Sequence, residues 1–194
     1  MRGEIRKRCL LAREALSGQE VAHLSALLVA NLLRAFPCPP GKCVGFCWPV
    51  RNEADVRPAI HAWLKMGITA ALPVTTMRGQ PLIFRLWQAE APLAPDCKGI
   101  SAPLDDAPEV TPDTLLIPLN AFDAAGYRLG YGSGFFDRTL TALAARSVRP
   151  LAIGIGFELG RVADAHPDAH DQPMDWLITE AGVWQARKGC RKAG

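Results

Sequence analysis

Apolar residues recur every three to four positions in the first 35 residues, a spacing typical of helices that bury one face. Residues 2–15 predict an amphipathic helix with a strongly basic outer face and with inward positions at Ile5, Cys9, Ala12 and Leu16. Ser17-Gly-Gln-Glu20 matches a capping box, so a second helix is expected to begin there and to stop before Pro37. Residues 1–35 are therefore predicted to form two N-terminal helices.

From residue 42 onward, short apolar runs alternate with helical patterns. The pattern predicts helices at 60–66 and 135–146 and strands at 42–47, 68–74, 114–117, 151–157 and 176–179. Residues 82–87 alternate less regularly and are interpreted as an edge strand. This βαβ order indicates an α/β fold, a three-layer sandwich in which helices cover both faces of a mostly parallel sheet.

Residues 89–112 contain five prolines and few periodic apolar positions, so they are predicted to form a long irregular loop over the surface. Loops of this length often cover a site. We expect residues 1–194 to form a single domain with a disordered tail at 187–194.

Composition narrows the class of partner. The formal net charge of +3 is too small to predict nucleic-acid binding and favours a basic pocket for an anionic small molecule. The N-terminal sequence contains acidic residues and no continuous apolar segment, which predicts neither a signal peptide nor a membrane span. We therefore expect a cytoplasmic protein whose six cysteines are free thiols.

The most informative stretch is a predicted strand and turn that lead into a glycine-rich loop and then a helix. Glycines at 130, 132 and 134 allow backbone N–H groups to converge on one point, and the N-terminus of the next helix adds positive potential. Arg128 and Arg138 flank the loop, and Asp137 is a candidate ligand for a magnesium ion that bridges phosphates. From the pattern alone, a glycine-rich turn that only packs tightly remains an alternative.

This stretch resembles the signature of the 5-formyltetrahydrofolate cyclo-ligases. The matching run is Ala121-Phe-Asp-Ala-Ala-Gly-Tyr-Arg-Leu-Gly-Tyr-Gly-Ser-Gly-Phe-Phe-Asp137. Three further blocks agree with the family in order and spacing: residues 2–6, residues 46–55, and residues 153–157 followed by 170–179. The resemblance thus extends over nearly the whole chain.

The resemblance implies a sugar-phosphate isomerase and CoA-transferase-like fold and a magnesium- and ATP-dependent ring closure. In that reaction the formyl oxygen of 5-formyltetrahydrofolate attacks the γ-phosphate of ATP. N10 then attacks the activated carbon and expels phosphate, which gives 5,10-methenyltetrahydrofolate. We expect the enzyme to act as a monomer on these two small molecules, without a nucleic-acid or membrane partner.

The resemblance also implies roles for individual residues. Arg128 and Tyr131 are the expected catalytic residues. Trp48, Glu53 and Tyr131 are expected to contact the folate, and Asp137 and Asp171 to hold magnesium. The expected ATP-binding residues are Arg2, Arg6, Arg128, Leu129, Gly130, Tyr131, Gly132, Ser133, Gly134, Phe135, Phe136 and Arg138.

The chain departs from the family pattern at a few positions. Arg2 stands where the family usually has Lys, Phe135-Phe136 replaces a Tyr-Tyr pair, and Asn120 stands where Gly is frequent. The first change keeps the charge but replaces a point ammonium with a planar fork. The second removes two hydroxyls while it keeps the aromatic rings.

Several alternatives stay open from the sequence. Trp48 is also consistent with a core aromatic, Glu53 with favouring the N-terminus of a helix that starts near Asp55, and Asp171 with a turn. Arg2 and Arg6 are also consistent with a solvated face. At the level of function, the alternatives are a non-catalytic folate or nucleotide binder and a phosphate-handling isomerase or CoA-transferase-like enzyme on the same fold.

Overall fold

A computed structural model describes residues 1–186 of the chain. The helices are α1 (Arg2–Glu14), α2 (Gly18–Ala35), α3 (Arg57–Leu64) and α4 (Phe135–Ala145), with a short 3₁₀ helix at Glu158–Gly160. The strands are β1 (Cys43–Gly45), β2 (Thr69–Val74), β3 (Ile83–Trp87), β4 (Leu93–Pro95), β5 (Ser101–Pro103), β6 (Glu109–Val110), β7 (Thr114–Pro118), β8 (Ala121–Phe122), β9 (Arg128–Leu129), β10 (Leu151–Ile155), β11 (Trp176–Thr179) and β12 (Gly182–Gln185).

Eight strands form the central sheet, in the order β12-β11-β10-β7-β1-β2-β3-β6. The five strands from β11 to β2 are parallel, and Val44 of β1 pairs with Ala70 on one side and Thr114 on the other. At both ends of the sheet the pairing is antiparallel: β12 pairs with β11 on one side, and β3 pairs with β2 and with β6 on the other. The predicted mostly parallel α/β sheet is therefore confirmed.

Side-chain alternation along the strands divides the core into two layers. On β2, Ala70 and Leu72 contact the core beneath α2 and α3, whereas Ala71 between them faces the core beneath α4. Buried side chains of α2 and α3, including Leu28, Leu32, Ile60 and Trp63, fill the first layer. Because consecutive strand residues point to opposite faces, near-continuous apolar strands are what a sheet covered on both sides requires.

The start of α2 follows from its local sequence. The hydroxyl of Ser17 accepts a hydrogen bond from the backbone N–H of Glu20, and the Glu20 carboxylate accepts one from the Ser17 N–H at 2.8 Å. The predicted capping box is confirmed, and the helix ends at Ala35, two residues before Pro37. None of the helices within residues 1–186 is long and apolar enough to cross a membrane.

Short elements account for most of the differences from the predicted order. Residues 89–112 are not an irregular loop throughout, because they contain β4, β5 and β6. The strand β6 pairs with β3, so β3 is not the edge of the sheet. The hairpin of β8 with β9 and the last strand β12 also have no counterpart in the prediction. Strands of two to four residues are too short to establish a period.

Two further predictions concern the ends of the chain and its cysteines. The five cysteines in the described part, Cys9, Cys38, Cys43, Cys47 and Cys97, are free thiols, as expected. Cys190 and the predicted disordered tail at 187–194 lie outside the described residues.

The inward face of α1 differs from the predicted one. Cys9 is buried as expected, but Ala12 is exposed and Arg13 is buried at 3% exposure. Arg2 and Arg6 are also partly buried and lie on the same face as Arg13. The helix thus turns a row of arginines toward the rest of the protein. A prediction from hydrophobic spacing assigns such a face to solvent, because it assumes that charged residues point outward.

Candidate active site

One large cavity, of about 790 Å³, opens at the carboxyl ends of the central parallel strands. Cys47 and Trp48 follow β1, Thr75 follows β2, and Asn120 follows β7. Ligands of open α/β sheets bind at this edge, and the volume lies within the usual range for small-molecule sites. Of the predicted site residues, the cavity is lined by Arg2, Arg6, Trp48, Glu53, Arg128, Gly130, Tyr131, Gly132, Ser133, Gly134, Phe135, Phe136, Asp137 and Asp171.

The glycine-rich loop forms one end of this cavity. It runs from the end of β9 to the first residue of α4, and Gly134 is the N-cap of that helix. Gly132 has φ +95° and Gly134 has φ +63°, a left-handed backbone that other residues adopt only with strain. The loop therefore holds its backbone near the N-terminus of α4, where the helix dipole favours an anion.

Two arginines of α1 line the cavity, and one of them contacts the glycine loop. Nε of Arg6 donates a hydrogen bond to the carbonyl oxygen of Gly130 at 2.7 Å. Arg2 forms ion pairs with Asp168 and, at 2.8 Å, with Asp171. The amide of Asn120 donates to the Arg6 carbonyl at 2.9 Å, which attaches the helix to the end of β7. The helix thus places both guanidinium groups in the cavity wall.

Arg128 joins the glycine loop to the predicted metal ligands. Its guanidinium is buried and donates to Oδ1 of Asp137 and to the carbonyl oxygen of Gln172, each at 3.1 Å. The Gln172 N–H also donates to Oδ1 of Asp137, at 3.0 Å, so Asp137 lies next to the segment that contains Asp171. We call the set Arg2, Arg6, Arg128, Gly130, Gly132, Ser133, Gly134, Asp137 and Asp171 the glycine-loop end.

Glu53 lies at the other end of the cavity and is only 7% exposed. The Tyr131 hydroxyl donates to Oε1 of Glu53 at 2.8 Å, and the Val50 N–H donates to Oε2 at 3.1 Å. Burial raises the pKa of Glu53, while the Val50 N–H, Arg13, Tyr131 and Arg51 oppose that rise. A buried carboxylate with its remaining acceptor positions directed to a cavity is suited to binding N–H donors of a ligand.

Trp48 lies beside Glu53 in the cavity wall and is half-buried. Its ring meets Trp87 edge-on at 6.2 Å between centroids, and the Arg57 guanidinium lies 4.7 Å from its centroid. Asp55 holds that guanidinium with two hydrogen bonds, at 2.8 and 2.7 Å. The indole is thus fixed on two sides and still reaches the cavity. We call Trp48, Glu53 and Tyr131 the Glu53 end.

The family model described as the 5-formyltetrahydrofolate cyclo-ligase family matches residues 1–180. The chain belongs to this family.

Individual relatives agree with the family assignment over nearly their whole length. The 5-formyltetrahydrofolate cyclo-ligase of Escherichia coli K12 is 26% identical over 178 residues, which cover 89% of this chain and 97% of that one. The cyclo-ligase of Mycoplasma pneumoniae is 27% identical over 177 residues, covering 91% and 96%.

Solved structures show the same fold. A 5,10-methenyltetrahydrofolate synthetase from Aquifex aeolicus superposes with a TM-score of 0.80 at 29% identity and covers 97% of this chain and 94% of its own. The synthetase from Mycoplasma pneumoniae gives a TM-score of 0.74 at 26% identity, with coverage of 92% and 98%. The family resemblance predicted from the sequence is confirmed.

Two residues of the predicted cyclo-ligase site do not line the cavity. The Leu129 side chain is buried in an apolar cluster with Cys9, Ala121 and Ala165, on the side of β9 that faces α1. Arg138 donates to the carbonyl of Ser133, and its guanidinium lies 5.3 Å from the Phe135 ring centroid. Both side chains support the loop from behind, because strand alternation and the turn of α4 direct them away from its concave face.

The alternative role of Glu53 at a helix N-terminus is not favoured by the geometry. The helix α3 begins at Arg57, and its first turn receives Asp55, whose Oδ1 accepts from the Arg57 N–H at 3.0 Å. The carboxylate of Glu53 instead accepts from Tyr131 and Val50. Its contacts belong to the cavity.

The cavity also has residues that the sequence did not indicate. Arg13 contacts Tyr131, and Arg51 lines the wall beside Glu53. The rim is formed in part by the proline-rich segment, where Asp96 accepts hydrogen bonds from the N–H groups of Thr75, Lys98 and Ile100. Arg13 follows Arg6 by two helical turns, a spacing that would have placed the two on one face. The rim lies in the segment that the sequence predicted as a long loop, but its individual residues were not indicated.

Proposed function

We propose that this cyclo-ligase family member catalyses the ATP-dependent cyclisation of 5-formyltetrahydrofolate to 5,10-methenyltetrahydrofolate, with release of ADP and phosphate. One observation supports this most directly. One cavity is lined by a glycine-rich loop at the N-terminus of α4 and, elsewhere in its wall, by a buried carboxylate and an indole. Two substrates, one with phosphates and one with a polar ring, are what such a cavity can hold side by side.

The chemistry explains why both substrates must share a cavity. The oxygen of the N5-formyl group is a poor leaving group. When this oxygen attacks the γ-phosphate of ATP, ADP is released and the oxygen becomes part of a phosphate ester. N10 then forms a bond to the formyl carbon, the C–O bond breaks, and phosphate leaves as the N10 proton is lost. Such a reaction depends on alignment and charge neutralisation rather than on an enzyme nucleophile.

At the glycine-loop end, we assign the triphosphate to the backbone of residues 130–134 and to Arg2, Arg6 and Arg128. The loop supplies N–H groups close to the N-terminus of α4, and the guanidinium groups supply charge. Arg128 has the most suitable position for a catalytic role, because it is buried and anchored to Asp137 and to the Gln172 carbonyl. A fixed cation needs little reorganisation when charge develops on the transferring phosphoryl group.

At the Glu53 end, we assign Glu53 to the pterin amino and ring N–H groups and Trp48 to the face or linker of the folate. Burial and the nearby Glu53 charge raise the pKa of Tyr131 well above its ordinary value. Its hydroxyl therefore stays protonated and donates to Glu53. The geometry supports a binding role for Tyr131, and its assignment as a catalytic residue stays a prediction.

Magnesium fits the glycine-loop end as a partner of the nucleotide. Within residues 1–186, no three or more His, Cys, Asp or Glu side chains form a group that holds a metal alone. Magnesium, however, is usually bound by one or two carboxylates together with substrate phosphates. Asp137 and Asp171 would hold it here, and it would neutralise phosphate charge. Arg2 and Arg128 in the cavity wall are already paired with aspartates, so their charge is partly neutralised. An added cation would therefore help to balance the charge of two anionic substrates.

Several finer points remain part of the proposal. We expect the enzyme to act as a monomer in the cytoplasm and to need neither nucleic acid nor a membrane. The mild net charge of +3 supports the absence of a nucleic-acid partner.

The test is a direct assay. Purified protein is mixed with (6S)-5-formyltetrahydrofolate, ATP and magnesium, and the near-ultraviolet absorbance of the methenyl product is followed. We expect absorbance to grow only when all three are present. If it stays flat while calorimetry shows that either substrate binds, the protein is a binder and the proposed reaction is wrong.

A further inference from the structure

Arg13 is the most deeply buried arginine of the described chain, and the proposed function gives it no role. It is 3% exposed, near the C-terminal end of α1. A buried guanidinium requires acceptors for its donors, since an unpaired buried charge is very costly. Each contact it makes leads toward the Glu53 end of the cavity.

Three segments of the chain meet at this guanidinium. Nε of Arg13 donates to the Arg51 carbonyl at 3.1 Å, and one terminal nitrogen donates to the Leu119 carbonyl at 3.3 Å. The other terminal nitrogen donates to the Tyr131 hydroxyl at 2.6 Å and lies 3.9 Å from Oε1 of Glu53. The planar fork of arginine can reach all of these acceptors at once, whereas a lysine ammonium cannot.

The Tyr131 hydroxyl acts as a relay in this arrangement. It accepts from Arg13 and donates to Glu53 at 2.8 Å, so the hydroxyl is held both as an acceptor and as a donor. The Tyr131 side chain is otherwise 42% exposed on the glycine loop. Because Arg13 donates to the oxygen of this hydroxyl, the hydroxyl proton is left to point toward the carboxylate.

The turn that leads into Glu53 is strained and is held in place by α1. Arg51 has φ +51° and Asn52 has φ +58°, as in a type I′ turn, and the Glu53 N–H donates to the Val50 carbonyl at 3.0 Å. A left-handed backbone is uncommon for arginine. Nε of Arg13 holds the Arg51 carbonyl, and the Asn52 amide donates to the Leu16 carbonyl at 2.9 Å, just beyond α1.

We propose that Arg13 is the positioning residue of the Glu53 end, because its guanidinium orients the Tyr131 hydroxyl and fixes the turn that carries the Glu53 carboxylate before the folate arrives. The inference rests on the proposed function for the identity of the ligand. It adds a structural role for α1, whose Arg2 and Arg6 serve the glycine-loop end while Arg13 serves the other. One helix thereby aligns both substrates.

The proposal is tested with Arg13→Lys and Arg13→Met, with Arg8→Met on the exposed face of α1 as the matched control. We expect Arg13→Met to raise the KM for 5-formyltetrahydrofolate about tenfold to a hundredfold, as for loss of a charged hydrogen bond, with little change in the KM for ATP. Arg13→Lys should give a smaller rise. A purely structural role would change both KM values or the melting temperature alone.

The pH profile gives a second readout that packing does not move. The charged or titratable groups that face Glu53 are Arg13, Arg51, Tyr131 and Cys47. A positive charge near Glu53 lowers the pKa of its carboxyl group, so removal of the Arg13 charge should raise that pKa. The acidic limb of kcat/KM for 5-formyltetrahydrofolate should therefore shift to higher pH. Arg13→Lys keeps the charge and should leave that limb nearly in place.

A double-mutant cycle with Glu53→Gln completes the test. If Arg13 acts through Glu53, Arg13→Met should have little further effect on the folate KM in the Glu53→Gln background. Additive effects, or an unchanged folate KM in both Arg13 variants, would overturn the proposal. If Arg13→Met does not fold, Arg13→Lys and Tyr131→Phe decide instead, and both must weaken the folate interaction.

Failure of the proposed function is distinguishable from failure of this inference. If the wild-type protein binds 5-formyltetrahydrofolate without turnover, the reaction is wrong and the Arg13 comparison is made with calorimetric Kd values. If it turns the substrate over and the Arg13 variants keep its folate KM, only the inference is wrong. If the wild-type protein does not bind 5-formyltetrahydrofolate at all, both are wrong.

Discussion

The glycine-loop end takes its loop, Arg128 and Asp137 from one continuous stretch of sequence and adds Arg2, Arg6 and Asp171 from elsewhere in the chain. The carboxylate of Glu53 is instead held by Arg13 and Tyr131, which are 118 positions apart. The first end is formed by backbone groups, left-handed glycines and cations that sit beside aspartates. The second is formed by one buried carboxylate and by the side chains that orient it. The two ends thus differ in the groups that form them: backbone and cations at one, an oriented carboxylate at the other.

In the proposed function, the difference follows from the ligand that each end would bind. Phosphate oxygens accept hydrogen bonds from many directions, so a local motif can supply much of their site through converging N–H groups. A ring edge with fixed N–H donors needs a carboxylate in one orientation, and burial of that carboxylate is unfavourable unless partners hold it. The Val50 N–H is a local partner, whereas Arg13 and Tyr131 come from distant segments.

The largest effect is expected from Arg128→Ala, which breaks the glycine-loop end. The substitution removes a buried cation beside the proposed phosphate site and leaves Asp137 without its ion-pair partner, so kcat/KM should fall about 100- to 1,000-fold. Steady-state assays of the methenyl product measure this. Arg146→Ala, on the exposed end of α4, is the control and should keep full activity. A fall of only a few fold would show that Arg128 is not close to the transferring phosphoryl group.

The next effect, Glu53→Gln, breaks only the opposite end. The amide replaces one carboxylate acceptor with a donor, so the KM for 5-formyltetrahydrofolate should rise about tenfold to a hundredfold while the KM for ATP stays nearly constant. Glu90→Gln, at an exposed position, is the control. An equal rise in both KM values would contradict the division of the cavity into two ends.

How well each end could be predicted reflects this same division. The spacing of Gly130, Gly132 and Gly134 between a strand and a helix indicated an anion site without any knowledge of the fold. Glu53 and Trp48 became candidates only through the family resemblance, since a lone carboxylate and a lone indole have many other uses. Arg13 was missed because an arginine on an amphipathic helix is expected to be exposed, and only tertiary contacts bury it.

The fold shows the same limit of local information. The parallel strands β2 and β7 have apolar runs long enough to predict, and their residues match the expected ranges within one position. The strands β4, β5 and β6 exist because their backbones pair with each other or with β3. Their sequence resembles a loop, since β4 and β5 both end in proline.

A smaller effect is expected from Trp48→Phe, which sharpens the description of the Glu53 end. The phenyl ring keeps an aromatic face but loses part of the contact area, so the folate KM should rise about two- to tenfold. Trp184→Phe, in the edge strand β12 and away from the cavity, controls for general loss of tryptophan packing. An unchanged folate KM in Trp48→Phe would return Trp48 to a core role.

The smallest effect concerns the free energy of unfolding and measures how much the burial of Glu53 changes it. Burial raises the pKa of Glu53 above the ordinary value of 4.5, so the folded state binds this proton more tightly than the unfolded state. Its contribution to stability is therefore present at low pH and is lost as pH rises through the raised pKa. The gap in unfolding free energy between Glu53→Gln and the wild type should shift in favour of the variant over that window.

Urea denaturation of both proteins from about pH 4 to about pH 8 measures that gap. Asp55, Glu14 and Glu20 have lowered pKa values and make stability rise with pH, but they do so in both proteins and cancel in the difference. A gap that is constant with pH would mean that Tyr131, Arg13 and the Val50 N–H fully offset the burial of Glu53. In that case the carboxylate is held without cost, and the contrast between the two ends lies in geometry alone.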